Sequence, residues 1–378
     1  MTEPLLLHSG FDNLDMAYRV TLPQSLHTSL LAAKAEALEA RRAIPLTFGG
    51  QTFLVNGHGG TGGYAFSVDT GIMGANWWFK EPGTRDPWGA RVSSRALPLA
   101  IKGIEAVKAD LDRFLIALGM TFSEIDRRLS RIDYALDFLL PEFSIDPSQF
   151  VCHSQKKKSI NGEYAANYCG DRVSYIRIGT AANSEVVVYD KRREVIDTKK
   201  RYWWDLWKEK ADKAETVLSK NSPIWRFEFR AGKNFLEKTY RRKTWEAFAS
   251  APNMAFQKIA AQTRLTVPQP DINRARWPSA VIWQTCQTRL AAIELAYTSN
   301  VDVEAIKQAL WSEYLCTIGS QTTGLILSQM CAFGLGEDDI PAMLEQIGFD
   351  LKDALNRCGD SPAEIFRKRR CATRAKYG

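Results

Sequence analysis

Two stretches alternate apolar and polar residues without a break, and that period of two constrains the fold more than any other feature. In RIDYALDFLL (131–140), Ile132, Tyr134, Leu136 and Phe138 project one way, and Arg131, Asp133, Ala135 and Asp137 the other. In IWRFEFRA (224–231), Trp225, Phe227 and Phe229 oppose Arg226, Glu228 and Arg230. Such segments need a sheet with one face on an apolar core. SYIRIG (174–179) and SEVVVYDK (184–191) read as two further strands. LTFGGQTFLVNG and GGYAFSVDTG read as short strands separated by NGHGGTGG, whose Asn-Gly and Gly-Gly pairs suit a hairpin turn. That run is no phosphate loop, because G-x-x-x-x-G-K-[ST] is absent.

Helical spacing appears on both sides of these strands. Residues 24–42 are amphipathic. Residues 98–118 repeat Ile101, Ile104, Val107, Leu111, Phe114 and Leu118, and Gly119 can end that helix. A basic, aromatic insertion at 193–219 also reads as helix, broken at Asn221-Ser-Pro. Past residue 252 the candidates are 280–298, 301–315, 319–333, 340–357 and 361–373, the last opening on the capping box Ser361-Pro362-Ala363-Glu364. The proline-rich TVPQPDINRARWP (266–278) reads as a linker. The expected fold is α+β: a central antiparallel sheet, flanking helices and a mostly helical C-terminal part. The expected division is an N-terminal α/β region at 1–120 on or within the core, a core at 121–250, and a helical region at 251–378 for DNA binding or an accessory role.

With 378 residues, 45% hydrophobic and 25% charged, the chain is composed like a folded protein of two or three domains. It has no run of 18 apolar residues and its first residues do not form a signal peptide, so a cytoplasmic location away from membranes is expected. Seven scattered cysteines without C-x-x-C suggest neither a disulfide frame nor a zinc site. Lys and Arg number 50 against 43 Asp and Glu, and the surplus is clustered. Arg367, Lys368, Arg369, Arg370, Arg374 and Lys376 close the chain without an acid. Lys156 to Lys158, Arg241 to Lys243, and the segment from Lys191 with Tyr202, Trp203, Trp204 and Trp207 form three more clusters. Cations interleaved with aromatics suit a polyanion whose bases can stack. Solvated helix faces, and tryptophans sealing the insertion onto the sheet, are the plainer readings.

Asp133 and Asp137 share a strand face about 13 Å apart, too far for one metal without a bulge or a bridging water. Glu228 beside either would make a hard oxygen site suited to Mg²⁺ or Mn²⁺ with positions open for phosphate. Alternatively these acids pair with Arg131, Arg226 and Arg230 as an ionic ladder. Tyr189 shares a face with Lys191, whose ammonium would favour attack by the phenol; packing as an ordinary strand tyrosine is the alternative. Four histidines (8, 27, 58 and 153) without ligand spacing argue against a histidine metal site. Neither G-x-S-x-G nor a dinucleotide fingerprint occurs.

Taken in order, RIDYALDF, the YIRIGT…SEVVVYDK block, the basic insertion and WRFEFR resemble the replication initiation factor family. That family comprises rolling-circle initiators of small plasmids and filamentous phages, with related relaxases of conjugative elements. The resemblance covers roughly 125–245 and implies a nuclease-like core. It implies a DNA-nicking and strand-transfer enzyme in which a tyrosine takes the 5′-phosphate at an origin, aided by Mg²⁺ or Mn²⁺. Position by position, Asp133 and Glu228 match the metal acids, with Asp137 as a further acid. Tyr189 matches the nucleophile, Lys191 its lysine and Glu194 the trailing glutamate. Two features depart from the family pattern: Gly179 is followed by Thr-Ala-Ala-Asn-Ser, and the insertion is long and aromatic. They make Tyr202 a second candidate nucleophile. The DNA contacts expected are Arg131, Arg177, Arg192, Arg193, Arg226, Arg230, Trp203, Trp204, Arg367, Lys368, Arg369 and Arg370. Partners implied are origin DNA, single-stranded or in a hairpin, with a host helicase and polymerase; the oligomeric state stays open, a dimer among the options. A relaxase, a non-catalytic DNA-binding replication or regulatory factor, and a nuclease using water as nucleophile are the competing readings.

Overall fold

In the computed structural model, described over residues 4–152, 164–169, 172–296, 303–357 and 361–377, the two alternating segments lie side by side. The strands are β1 (Leu5–Tyr18), β2 (Ile44–Phe48), β3 (Gln51–Val55), β4 (Phe66–Asp69), β5 (Ala75–Phe79), β6 (Ala90–Ser94), β7 (Arg127–Leu139), β8 (Phe150–Cys152), β9 (Tyr164–Cys169), β10 (Arg172–Gly179), β11 (Ser184–Asp190), β12 (Ile224–Gly232) and β13 (Thr263–Leu265). The helices are α1 (Gln24–Glu39), α2 (Ala96–Lys102), α3 (Ile104–Ala117), α4 (Lys191–Asp197), α5 (Tyr202–Lys213), α6 (Lys233–Tyr240), α7 (Trp245–Ala249), α8 (Asn253–Gln262), α9 (Val281–Ala291), α10 (Val303–Ala332), α11 (Ile340–Arg357) and α12 (Pro362–Tyr377). Eleven strands form one antiparallel sheet in the order β2-β3-β4-β5-β6-β1-β7-β12-β11-β10-β9. β8 and β13 pair separately. The fold is thus α+β with an antiparallel sheet, flanking helices and a helical C-terminal part.

Alternation in the sequence becomes two different faces of this sheet. On one, Phe53, Trp77, Val92, Met16, Ile132, Leu136, Phe227, Phe229 and Val188 join a continuous core closed by residues of α1, α3, α6, α8 and α9. The core does not stop at residue 250, since Trp283 of α9 packs against Phe227 and Phe229 with ring centroids 6.5 and 5.6 Å away. Nor does the sheet stop at residue 120, because β1 pairs with β7 along most of its length. On the opposite face a second, smaller core covers only one end of the central strands. There Leu7 and Ile224 meet Leu97 and Ile101 of α2, Val195 of α4, Trp203 and Trp207 of α5, and Ile306 and Leu310 of α10.

Several elements differ from their sequence patterns for local reasons. The single helix expected at 98–118 is two, divided at Gly103, whose φ of 78° interrupts the helical backbone. LTFGGQTFLV is itself a hairpin, β2 to β3, turning at Gly49 and Gly50 with φ of 56° and 73°. Segments 301–315 and 319–333 merge within the 30-residue α10, where Gly319 is tolerated at a cost of about 1 kcal/mol. The capping box at α12 forms: Ser361 N and Oγ donate to Glu364 Oε2 at 3.1 and 3.0 Å. The Lys156–Lys158 cluster lies outside the described residues.

Candidate active site on the polar sheet face

The site begins with register. β7 and β12 pair without interruption, setting Asp133 opposite Arg230, Ala135 opposite Glu228 and Asp137 opposite Arg226. β11 continues the rows with Glu185 opposite Arg230, Val187 opposite Glu228 and Tyr189 opposite Arg226. Residues directly opposed in an antiparallel pair share a face. Asp133, Asp137, Glu185, Tyr189, Arg226, Glu228 and Arg230 therefore all project from the face turned away from the main core.

Arginines already occupy these acids. Arg131 Nε and an Nη donate to both oxygens of Asp133, at 2.9 and 2.5 Å. Arg230 holds Glu228 at 2.7 and 3.2 Å and Glu185 at 3.3 Å, and Arg177 approaches Glu185 at 3.9 Å. Bidentate pairs of this kind are the strongest carboxylate contacts a protein makes. Asp133 is 1% exposed, and its carboxyl is held well above the ordinary carboxylate range, first by burial and then by the charge of Glu228, against the pull of Arg131. Protonation of Asp133 would leave Arg131 with an unspent positive charge beside the row.

Asp137 belongs to a separate, deeper network. It accepts from Arg226 Nε and an Nη at 2.6 and 2.8 Å and from Trp207 Nε1 at 2.8 Å. Arg226 also donates to Asp12 at 2.6 Å. Burial works to raise the Asp137 carboxyl, but Arg226 holds it below the usual range. Asp12 was invisible to the alternation because it is the extra residue of a bulge: Phe11 faces Tyr134 and Asn13 faces Asp133, leaving Asp12 between them. The bulge delivers a carboxylate to Arg226 that regular pairing would not. His8 packs its ring against Trp203 at 5.1 Å in the same network.

The fit to a divalent ion is poor as arranged. Among the described residues no group of three or more His, Cys, Asp or Glu is disposed to hold a metal. Asp137 accepts three hydrogen bonds from Arg226 and Trp207, and Asp133 and Glu228 are each held by an arginine. The three acids expected around one Mg²⁺ or Mn²⁺ fall into two networks: Asp133 and Glu228 with Arg131 and Arg230, and Asp137 with Arg226 and Trp207.

Tyr189 sits near the end of β11, where Asp190 caps α4 by accepting from Arg193 N at 3.0 Å. Tyr189 is part-buried. Burial raises its pKa well above the ordinary tyrosine value; Arg226 opposes that, and Glu228, Asp12 and Glu194 add to it. Lys191 Nζ lies 5.7 Å from the Tyr189 ring centroid and 2.6 Å from Glu194, which also accepts from Lys200 at 2.8 Å. Burial, then Arg226, lowers the lysine's pKa below its usual value. Tyr202 is 7% exposed in the second core, and burial raises its pKa too.

Other expected DNA contacts fall into two groups. Trp203 and Arg226 are buried, at 1% and 0% exposed, Trp203 within the second core and Arg226 in the Asp137 network. Trp207, expected to stack, is likewise fully buried, and Trp204 is half-buried with its edge on Trp207. Arg192 and Arg193 stay near the surface with acidic neighbours Asp190 and Asp197 at 3.7 and 3.5 Å. Arg367, Lys368, Arg369 and Arg370 are exposed on α12, and Arg369 and Arg370 border a cleft with Trp311, Tyr314 and Phe366. No helix of the described residues is long and apolar enough to cross a membrane.

No protein-family model and no curated protein matches the chain. Among solved structures it is similar to a rolling circle replication initiator protein from Geobacillus stearothermophilus, at 13% identity and a TM-score of 0.41. That match spans 77% of this chain and 99% of the other.

Proposed function

We propose that this protein nicks and rejoins a DNA strand through Tyr189, as a rolling-circle initiator or a relaxase would. The observation that carries the reading is the shared sheet face: Tyr189, Glu228 and Asp133 stand on three adjacent strands beside Arg230, Arg131 and Arg177. In this reading the Tyr189 oxygen bonds to phosphorus as the bond from phosphorus to the 3′ oxygen breaks. Lys191, in its uncharged form, would accept the phenolic proton and pass that proton to the departing 3′ oxygen. The 5′-phosphate stays on the enzyme, and attack by a 3′-hydroxyl reverses the step without ATP. Arginines of the row, released from their acids, neutralise the phosphate.

The test is a single-stranded hairpin oligonucleotide of the cognate origin, incubated with the protein with and without Mn²⁺ and resolved on a denaturing gel. A covalent adduct is expected from the wild type and from Tyr202→Phe, and a loss of at least 100-fold from Tyr189→Phe. The occupation of every acid in the row by arginine favours a second reading, a DNA-binding factor without chemistry. Strand binding with no adduct under any condition would select it.

A further inference from the structure

The polar face continues past Asp133 toward the other edge of the sheet. Pairing places Trp78 of β5, Arg91 of β6, Ala17 of β1 and Arg128 of β7 in one row. The Arg91 guanidinium lies 5.3 Å from the Trp78 ring centroid. Trp88, two residues before β6, has Arg128 at 4.0 Å and Arg19 at 5.2 Å. Tyr64 has Lys80 at 5.0 Å, and its hydroxyl donates to the Trp88 carbonyl at 3.5 Å. All three rings are half-buried, unlike Trp203 and Trp207.

The cations here are less committed than those around Asp133. Arg128 makes no ion pair among the described residues, Arg19 reaches Asp126 only at 3.9 Å, and Arg91 reaches Asp15 only at 3.5 Å. Gly60 lies against Trp78 so closely that a Cβ would collide with the indole, and the loop before β4 thereby fixes the ring's orientation. Fixed rings interleaved with weakly paired guanidinium groups offer base stacking and phosphate neutralisation together. Ala17, which pairs with Arg128, lies four residues along β1 from Asn13, which pairs with Asp133, so the row is about 13 Å from Asp133 on the same face.

We propose that Tyr64, Trp78 and Trp88, with Arg19, Arg91 and Arg128, form a contact surface for single-stranded DNA that leads into the Tyr189 site. The choice of DNA rests on the nicking reading; the stacking surface itself does not. The experiment measures anisotropy of a labelled 20-base single strand, its duplex form and inorganic polyphosphate against the full chain. Trp88→Ala and Arg128→Ala are each expected to weaken single-strand binding about tenfold. Trp88→Phe is expected to restore most of the loss, which a merely misfolded variant would not show. Binding of Trp88→Ala within twofold of wild type would overturn the proposal. So would arginine variants that weaken duplex and polyphosphate binding as much as single-strand binding, since charge alone would then account for the surface. Adduct formation by the wild type is scored separately: adduct with binding unaffected by the surface variants refutes only this proposal, and binding that depends on this surface without adduct refutes only the nicking reading.

Discussion

His8 shows how far the polar network departs from a solvated strand face. The ring is 7% exposed, and its Nε2 has no hydrogen-bond partner among the described residues. Burial pushes its pKa down to about 4, with Asp137 and Asp12 resisting and Arg226 and Lys191 assisting. The unfolded chain binds that proton near pH 6.5 and the folded chain does not, so the contribution to stability is whole above pH 6.5 and is lost as pH falls toward 4. The shift corresponds to about 3 kcal/mol over that window. His8→Phe should remove this part of the acid sensitivity, read from urea midpoints at pH 7, 5.5 and 4.5; an unchanged slope would refute the assignment. Side-chain directions of Asp133, Glu228 and Tyr189 were legible from period two alone. Asp12 and His8 were not, because a bulge obeys no period.

At the level of elements, β1 is the clearest failure of pattern reading. LLLHSGFDNLDMAY (Leu5–Tyr18) is a central strand, yet the register shifts after Leu6 and after Phe11, each with an extra residue in β1, break the alternation that would announce it. The strands with unbroken register to one another, β7, β12 and β11, are the ones whose periodicity could be read. The aromatic α5 was legible as a helix but not as a core element, since composition does not say which side of an amphipathic helix is covered. The turn joining β10 to β11 depends on Gly179, with φ of 112° and a Cβ position blocked by the Ser184 carbonyl. Gly179→Ala should destabilise the protein by about 2 kcal/mol or more. A thermal melt within 1 °C of wild type would contradict that.

The whole molecule is one sheet clad unequally. Among the described residues, one face carries a continuous apolar core, and the other carries a smaller apolar cluster at the end with Leu7, Ile224 and the α5 tryptophans. The rest of that face holds the paired acids, buried among their arginines, with part-buried Tyr189 beside them and the arginine-aromatic row beyond. Helices α10 to α12 were anticipated from spacing and capping, but the contact of α10 with α5 and of α12 with β2 and β3 depends on long-range packing that no local pattern encodes. The account stands on one phenol, Tyr189, acting at the margin of this polar face. Its most direct test is mass spectrometry of the peptides left after the protein reacts with a hairpin origin strand and nuclease trims the DNA. A nucleotide remnant on the peptide containing Tyr189 is the predicted result; a remnant on Tyr202, or none on any tyrosine, would contradict it.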